Sequence, residues 1–355
     1  MISGSEVTLP ESLSLMLFCR TLWMVGLAGG ALSLSACGTA PVLSELPNAP
    51  SLRGLSQVDS LTAWVSGSQS SAAISRDAGR TWTSRAPLLS ADDVLDFRDI
   101  EAFSADEVVL MSAGPGGASR VFRTENGGIS WEICAMNQEP EGFWDGIAFW
   151  NRERGLLVGD PVDGRLTVLR TEDGGRHWTP VPVAGLPEAI DGEYAFAASG
   201  TSLAVAGENL AWIATGGSVA RVYRSTDGGD SWQVQASPLS AGTAGSGIFS
   251  IAFRDAKNGV LVGGDYELEN QVLTIAARTT DGGLSWQAAE TMPAGYRSGA
   301  SWHPRRRQWI AVGPTGVDVS ANGLHWSPFS TELPGFHSVD GNWMSGAQGS
   351  TAHLR

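Results

Sequence analysis

The chain has 355 residues, of which 42% are hydrophobic and 45 are glycine, so it can bury a sizeable core and form many tight turns. Its formal net charge of −14 argues against a nucleic-acid-binding protein, because phosphates require a basic surface. A charge of this sign favours a soluble monomer.

The N-terminal region has the pattern of an export signal. Arg20 precedes the apolar residues 21–36, and positions 34–37 read Leu-Ser-Ala-Cys. This sequence resembles a lipoprotein signal peptide with its lipobox, which implies cleavage before Cys37 and acylation of the Cys37 thiol. The alternative is an ordinary signal peptide in which this cysteine is incidental.

We therefore expect a signal peptide at 1–36, a tether at 37–41 and a folded domain at 42–355. An acylated Cys37 would hold the domain on a membrane, facing the periplasm. Because Gly38 follows the cysteine, with no Asp to retain the protein in the inner membrane, the pattern favours the outer membrane.

One phrase of eight residues recurs through the rest of the chain. It begins with Ser or Thr, continues with Asp or Asn and glycine, and ends in Trp; we call these copies box turns. They lie at 75–82, 124–131, 171–178, 225–232, 279–286 and, shortened by one residue, 320–326. The Trp residues are 49, 47, 54, 54 and 40 positions apart, which is typical of solenoids and propellers. The composition predicts a tight turn between two strands, after which the Trp ring packs on the neighbouring repeat.

Two apolar segments precede each box turn and predict two further strands in every repeat. The first set, predicted as inner strands, lies at 52–55, 97–100, 144–149, 194–198, 248–253, 296–302 and 336–339. The second set ends in glycine and lies at 64–67, 109–114, 156–159, 212–216, 260–263, 309–313 and 343–346. Seven units of four strands predict an all-β, seven-bladed propeller. The seventh unit has no box turn and no fourth strand, so we expect the segment 41–46 to pair with its edge and close the ring.

The predicted topology brings charged and aromatic side chains to one end of the central channel. Connections between blades meet there, together with the turns between second and third strands, whereas the box turns lie on the opposite face. Since polar and aromatic groups are concentrated at this channel mouth, we predict a ligand-binding site. The candidate residues are Arg53, Arg98, Asp145, Asp160, Glu193, Tyr194, Asp265, Tyr266, Tyr296, Arg297 and His337. The alternative is that these groups are solvated strand ends or form ion pairs with one another.

Motifs for cofactors and metals are missing from the sequence. It has no G-x-S-x-G elbow, no dinucleotide-binding loop and no His spacing typical of a metal site, so we expect no cofactor and no bound metal. The basic run 305–307 predicts either a docking patch for an acidic partner or headgroup, or a solvated hairpin tip in the sixth blade.

The box turns resemble the Asp box of bacterial neuraminidase repeats, S-x-D-x-G-x-T-W, and residues 75–82 match it at every fixed position. Over residues 42–355, the order of strands and the seven units resemble the photosystem II stability and assembly factor family of propellers. That resemblance implies an assembly scaffold without catalysis, which binds a protein or a glycan at the channel mouth.

Sialidases share the Asp box and the propeller, and they imply an alternative function as glycoside hydrolase. Their chemistry uses three arginines to hold a carboxylate, a tyrosine nucleophile assisted by a glutamate, and an acidic proton donor. The corresponding candidates are Arg53, Arg98, Arg297, Tyr296, Glu193 and Asp145. The Arg-Ile-Pro motif of these enzymes is missing, because Arg53 precedes glycine and Arg98 precedes Asp99. We therefore expect a scaffold rather than an enzyme.

Overall fold

The computed structural model describes residues 40–90, 92–271, 273–329, 333 and 335–354. Seven antiparallel sheets in these ranges form the blades of a β-propeller, which confirms the predicted fold. No helix among the described residues is long and apolar enough to cross a membrane. The predicted signal peptide and Cys37 lie outside the described residues.

The first half of the domain forms three blades after an initial strand. The chain enters through β1 (Val42–Glu45). Blade 1 consists of β2 (Leu52–Gln57), β3 (Ala63–Gly67), β4 (Ser71–Ser75) and β5 (Thr83–Ser84). Blade 2 consists of β6 (Asp96–Ala102), β7 (Val108–Ala113), β8 (Arg120–Thr124) and β9 (Glu132–Met136). Blade 3 consists of β10 (Trp144–Phe149), β11 (Gly155–Val162), β12 (Arg165–Thr171) and β13 (Thr179–Pro180).

The second half forms four blades and two additional short strands. These two strands are β14 (Glu193–Tyr194) and β17 (Gly216–Gly217). Blade 4 consists of β15 (Leu203–Ala206), β16 (Leu210–Ala214), β18 (Arg221–Ser225) and β19 (Gln233–Ala236). Blade 5 consists of β20 (Ser246–Phe253), β21 (Gly259–Asp265), β22 (Ala276–Thr279) and β23 (Gln287–Ala288). Blade 6 consists of β24 (Gly299–His303), β25 (Gln308–Gly313), β26 (Gly316–Ser320) and β27 (Ser327–Pro328). Blade 7 begins with β28 (Ser338–Asp340), β29 (Trp343–Ser345) and β30 (Ser350–His353).

Short 3-10 turns complete the secondary structure of the described ranges. They lie at Gly116–Ala118, Val183–Gly185 and Ala347–Gly349. Because consecutive strands of a blade are antiparallel, the turn between the first two strands lies on the same face as the box turn, which we call the box-turn face. The opposite face carries the connections between blades, and we call it the mouth face.

The N-terminal strand closes the ring. Strand β1 pairs with β30, with Val42 opposite His353 and Glu45 opposite Ser350, so it supplies the fourth strand of blade 7. The Ser44 hydroxyl donates to the Gly79 carbonyl over 2.6 Å, which ties the added strand to the box turn of blade 1. The predicted closure by a segment at 41–46 is confirmed, and the exposed edge of β30 is covered.

Side-chain hydrogen bonds within each copy shape the box turns. In the first copy, the Gly79 amide donates to the Ser75 hydroxyl over 2.9 Å and the Thr81 amide donates to the Asp77 carboxylate over 2.9 Å. Gly79 has a φ of +80°, which a glycine adopts without steric strain. The other five copies repeat both bonds, so one local chemistry builds all six turns.

Hydrophobic clusters fill the seven interfaces between neighbouring blades. The box-turn Trp131 of blade 2 packs edge-on against the buried Trp64 of blade 1, with ring centroids 6.1 Å apart. At the closure, Trp82 packs in the same way on Trp343 of blade 7 at 5.9 Å. Each box-turn Trp of these pairs therefore joins its own blade to the preceding one, as expected from the sequence.

The predicted inner strand of blade 4 is wrong. The segment 194–198 was expected in that position, but the inner strand is β15, nine residues further along the chain. Tyr194 belongs to β14, which pairs with β17 and extends the sheet of blade 5. Residues 195–198 then cross the channel mouth, where two arginine side chains bind the carbonyls of Ala197 and Ala198. Residues 194–198 and strand β15 are both apolar. The bonds from the two arginines, which are distant in sequence, determine which of the two segments forms the inner strand.

Candidate functional site

A cavity of about 630 Å³ opens on the mouth face at the end of the central channel. This volume suits a small molecule or a few side chains of a partner. Its lining residues come from the strands and loops of six blades and from the segment that crosses the mouth. They are Arg53, Arg98, Phe143, Asp145, Asp160, Tyr194, Ala195, Phe196, Ala197, Ala198, Phe249, Tyr266, Glu269, Tyr296, Pro314 and His337.

Most of the residues predicted for the channel mouth meet in this cavity. The eight that line it are Arg53, Arg98, Asp145, Asp160, Tyr194, Tyr266, Tyr296 and His337. The remaining three predicted residues, Glu193, Asp265 and Arg297, do not line the cavity. The geometry therefore brings the larger part of the candidate set together, and the ligand-binding role of that set stays a prediction.

Glu193 and Asp265 are engaged in bonds within the fold. The Glu193 carboxylate accepts hydrogen bonds from the Arg221 guanidinium over 2.9 Å and from the Thr215 hydroxyl over 2.6 Å. Asp265 accepts bonds of 2.9 Å from the Thr243 hydroxyl and from the Glu267 amide. These carboxylates hold the strands and loops beside the cavity in place.

Arg297 is buried inside blade 6, with 1% of its side chain exposed. Its Nε donates to Asp318 Oδ2 over 2.7 Å, and Nη2 donates to the same oxygen. Its Nη1 donates to the Tyr296 carbonyl and to the Thr315 hydroxyl, both over 2.8 Å. Since every nitrogen of the guanidinium has a partner in the fold, the three-arginine set of the sialidase alternative is not assembled.

Arg53 carries a positive charge in the cavity without an acidic partner. Its Nη1 donates to the Ala198 carbonyl over 3.3 Å, its Nε is buried without a hydrogen-bond partner, and it forms no ion pair with the described residues. Burial and the nearby Arg98 charge lower the pKa of Arg53 from its usual value. A ligand anion would offset both unfavourable effects.

His337 lies beside the two arginines and stays neutral. Burial, followed by the charges of Arg53 and Arg98, lowers the pKa of His337 to about 3. Its Nδ1 is buried without a hydrogen-bond partner among the described residues. Because a neutral imidazole can either donate or accept, it can bond to a ligand next to Arg53 without adding charge.

Arg98 is shared between a carboxylate and the crossing segment. Its Nε forms an ion pair with Asp96 at 2.7 Å, and its Nη1 donates to the Ala197 carbonyl over 2.9 Å. These bonds fix the guanidinium against one wall of the cavity. Arg98 therefore supports the segment that crosses the mouth, while Arg53 retains an unsatisfied donor.

Asp145 and Asp160 form a buried carboxyl pair in the cavity, within reach of the Arg98 charge. Burial and the neighbouring Asp160 charge raise the pKa of Asp145 well above its usual range, and burial raises the pKa of Asp160 to about 7. Two carboxylates in contact cannot both ionise readily, so the pair holds at least one proton at neutral pH. The amides of Ala197 and Ala195 favour the charged forms and link the pair to the crossing segment.

Aromatic rings form the apolar part of the cavity. Phe196 stacks on Phe249 with centroids 3.9 Å apart, and Phe249 meets the edge of Tyr296 at 4.7 Å. Tyr266 approaches Phe249 at 6.2 Å and is 47% exposed at the rim. The sequence prediction missed Phe196 and Phe249, although both lie within apolar segments that it predicted as inner strands. Both rings lie in the first half of their segments, near the predicted channel mouth, and this placement could have identified them.

The Tyr296 hydroxyl in the cavity does not ionise at neutral pH. Tyr296 is 4% exposed, and burial raises its pKa above the usual value. No group of three His, Cys, Asp or Glu side chains in the described ranges is arranged to hold a metal ion. The fold and cavity thus define a seven-bladed β-propeller with a charged and aromatic cavity at its channel mouth.

Several solved structures share this fold. YCF48 bound to a D1 peptide matches with a TM-score of 0.59 and 16% identity, over 89% of this chain and 97% of that chain. YCF48 from Cyanidioschyzon merolae gives 0.60 and 17%, over 89% and 99%. The GH74 xyloglucanase from Xanthomonas campestris gives 0.59 and 18%, over 88% of this chain and 53% of the enzyme. At these identities the similarity shows a common propeller fold.

Neither a protein-family model nor a curated protein matches the sequence. The neighbours in fold include both binding proteins and hydrolases. Function must therefore be argued from the chemistry of the cavity.

Proposed function

We propose that this protein is a non-catalytic scaffold that binds a segment of a partner protein in the mouth cavity. The observation that carries the proposal is Arg53, a buried cation without an acidic partner, placed between a neutral histidine and a wall of aromatic rings. Such a site fits a carboxylate attached to an apolar or aromatic group, as a peptide provides. The match to a YCF48 structure that holds a peptide supports the same type of ligand.

The proposed location is a membrane surface that faces the periplasm. We infer that Cys37 carries a lipid, that residues 38–41 tether the propeller to a membrane, and that the cavity serves a partner in the periplasm. The Leu-Ser-Ala-Cys sequence at 34–37 supports this part. The outer membrane is favoured because Gly38 follows the cysteine.

A peptide array tests the ligand class. Each peptide is presented with a free and with an amidated C terminus, and with its acidic residues either kept or replaced by their amides. Wild-type protein should bind the carboxylate-bearing members, and Arg53→Gln should weaken that binding by about 30-fold or more, as expected when a buried charged hydrogen bond loses one partner. Arg152→Gln is the matched control, because Arg152 is an exposed arginine on the box-turn face.

Two results would contradict the scaffold proposal. Equal binding of carboxylate-bearing and amidated peptides, or unchanged binding by Arg53→Gln, would remove the role of Arg53. Turnover of a fluorogenic sialoside or of xyloglucan that disappears in Tyr296→Phe would establish the hydrolase alternative. Binding of the sialoside without turnover would point to a glycan ligand instead of a protein segment.

A further inference from the structure

The register of blade 7 places the start of the folded chain on the box-turn face. Asp340 pairs with Trp343, Trp343 with His353, and His353 with Val42, so these four residues form one row across the blade. This row lies next to Gly341, in the turn between the first two strands, and that turn belongs to the box-turn face. Val42, at the start of β1, therefore lies on the face opposite the cavity.

Hydrogen bonds align this end of blade 7 with the neighbouring blades. The Gln57 amide of blade 1 donates to Asp340 over 2.8 Å, and the Gly341 amide donates to the Ser301 hydroxyl of blade 6 over 3.2 Å. The entry point at Val42 thus lies between the box-turn-face tips of blades 6 and 1.

The tip of blade 6 on this face is the basic run 305–307. It connects β24 to β25, and His303 pairs with Gln308 at its base. Arg306 lies over the Phe329 ring with its guanidinium carbon 5.5 Å from the centroid, which orients the hairpin. Arg305 and Arg307 are exposed and form no ion pair with residues in the described ranges. Three consecutive cations are notable in a chain with a formal charge of −14.

Chain geometry limits how far the anchor can lie from this tip region. Cys37 precedes Val42 by five residues, and an extended chain spans about 3.3–3.6 Å per residue, so the tether reaches about 17 Å. An acyl chain at Cys37 would hold the box-turn face next to the headgroups. Each Arg close to an anionic surface then adds to membrane attachment, and a lipid together with a basic patch gives stable docking.

We propose that the box-turn face is the membrane-facing surface, that the hairpin 305–307 contacts anionic lipid headgroups, and that the cavity opens away from the membrane. This inference depends on the lipid anchor in the proposed function. Anionic headgroups are then the ligand of residues 305–307, which do not line the cavity. It also leaves the partner-binding site accessible from the aqueous side while the protein stays anchored.

Fluorescence quenching tests the orientation. The full lipidated chain, with Cys134→Ser to remove the half-buried thiol on strand β9, receives a cysteine-directed fluorophore at position 61 or position 88. Leu61 is 53% exposed at the tip of blade 1 on the box-turn face, and Leu88 is fully exposed between blades 1 and 2 on the mouth side. The proteins are reconstituted in phosphatidylcholine vesicles with or without phosphatidylglycerol, each containing a nitroxide on the headgroup.

We expect strong quenching of the fluorophore at position 61 and little or no quenching at position 88. Replacement of Arg305 and Arg307 by Gln should lower the equilibrium constant for the docked orientation by up to about 30-fold in the anionic vesicles and leave it unchanged in neutral ones. The same charge change at Arg152 and Arg154, at the tip of blade 3 across the ring, should have a much smaller effect.

The outcomes separate this inference from the anchor itself. Incorporation of a labelled fatty acid that Cys37→Ser abolishes would establish the anchor. With that label present, equal quenching at the two positions would overturn the orientation. Quenching at position 61 that does not respond to phosphatidylglycerol or to the double arginine variant would overturn the contact between hairpin 305–307 and anionic headgroups. Absence of the acyl label would overturn the anchor and the orientation together.

Discussion

Replacement of Asp318 by Ala should destabilise the propeller without affecting the cavity. The substitution leaves the Arg297 guanidinium, 1% exposed, without its counter-ion inside blade 6. Breaking a buried ion pair from one side typically costs about 3–5 kcal/mol, because the remaining charge has lost its solvent and its partner. The contacts of Arg297 with the Tyr296 carbonyl and the Thr315 hydroxyl are neutral and cannot replace the carboxylate.

Thermal and denaturant unfolding measure this cost. In a domain of this size, 1 kcal/mol corresponds to about 2 °C in Tm, so Asp318→Ala should lower Tm by about 6–10 °C. The urea midpoint should fall at an unchanged slope, provided that the native surface is conserved. Arg53→Gln is the matched comparison: no carboxylate of the described residues pairs with Arg53, and its bond to the Ala198 carbonyl is 3.3 Å long, so the loss of Tm should be smaller than in Asp318→Ala.

A double variant distinguishes the ion pair from general damage to the core. Arg297→Met combined with Asp318→Leu removes both charges and keeps a similar volume, so its stability should lie near the wild-type value or above it. The reasoning would be refuted if Asp318→Ala cost less than about 1 kcal/mol, or if the double variant were as unstable as the single one.

Three further outcomes can be measured on the same protein. Burial raises the pKa of Asp99 to about 7, so the folded state holds a proton that the unfolded chain releases near pH 4; stability should fall as the pH rises between these values, and Asp99→Asn should flatten that part of a melting profile. Burial raises the pKa of Cys134 to about 11, so a thiol reagent at neutral pH should label the native protein far more slowly than the unfolded protein. Deletion of residues 1–46 removes β1 and leaves the edge of β30 unpaired, so gel filtration should show association and melting should show a lower Tm.

The parts of the fold that follow from local chemistry were predictable from the sequence. A box turn is built by bonds between residues two to four positions apart, such as Asp77 with Thr81, so the sequence contains the whole motif. The two sets of seven apolar segments, rather than the six box turns, predicted the number of blades. The unpaired edge of the seventh unit then implied a partner strand, and β1 is found at that edge.

The inner strand of blade 4 could not be predicted in the same way. The segments at 194–198 and at β15 are both short and apolar, and either satisfies the spacing of the repeat. The choice depends on bonds to the Ala197 and Ala198 carbonyls from Arg98 and Arg53, which are 99 and 145 residues away in sequence. No local pattern contains that information.

The candidate site shows the same limit for individual side chains. Arg53 and Arg297 both stand near the start of an inner strand, and the sequence treats them alike. They differ because Asp318, on the third strand of blade 6, accepts the Arg297 guanidinium, whereas no carboxylate of the described residues forms an ion pair with Arg53. The position of a residue along a blade predicts where its backbone lies. The hydrogen-bond or ion-pair partner of the side chain then determines whether that side chain is available to a ligand.

The carboxyl pair shows how one wall of the cavity is held in place. Asp145 and Asp160 lie close enough to perturb each other's pKa, and the pair holds at least one proton at neutral pH. The amides of Ala197 and Ala195 favour the charged forms of the two carboxyl groups. The pair therefore links the first two strands of blade 3 to the segment that crosses the channel mouth.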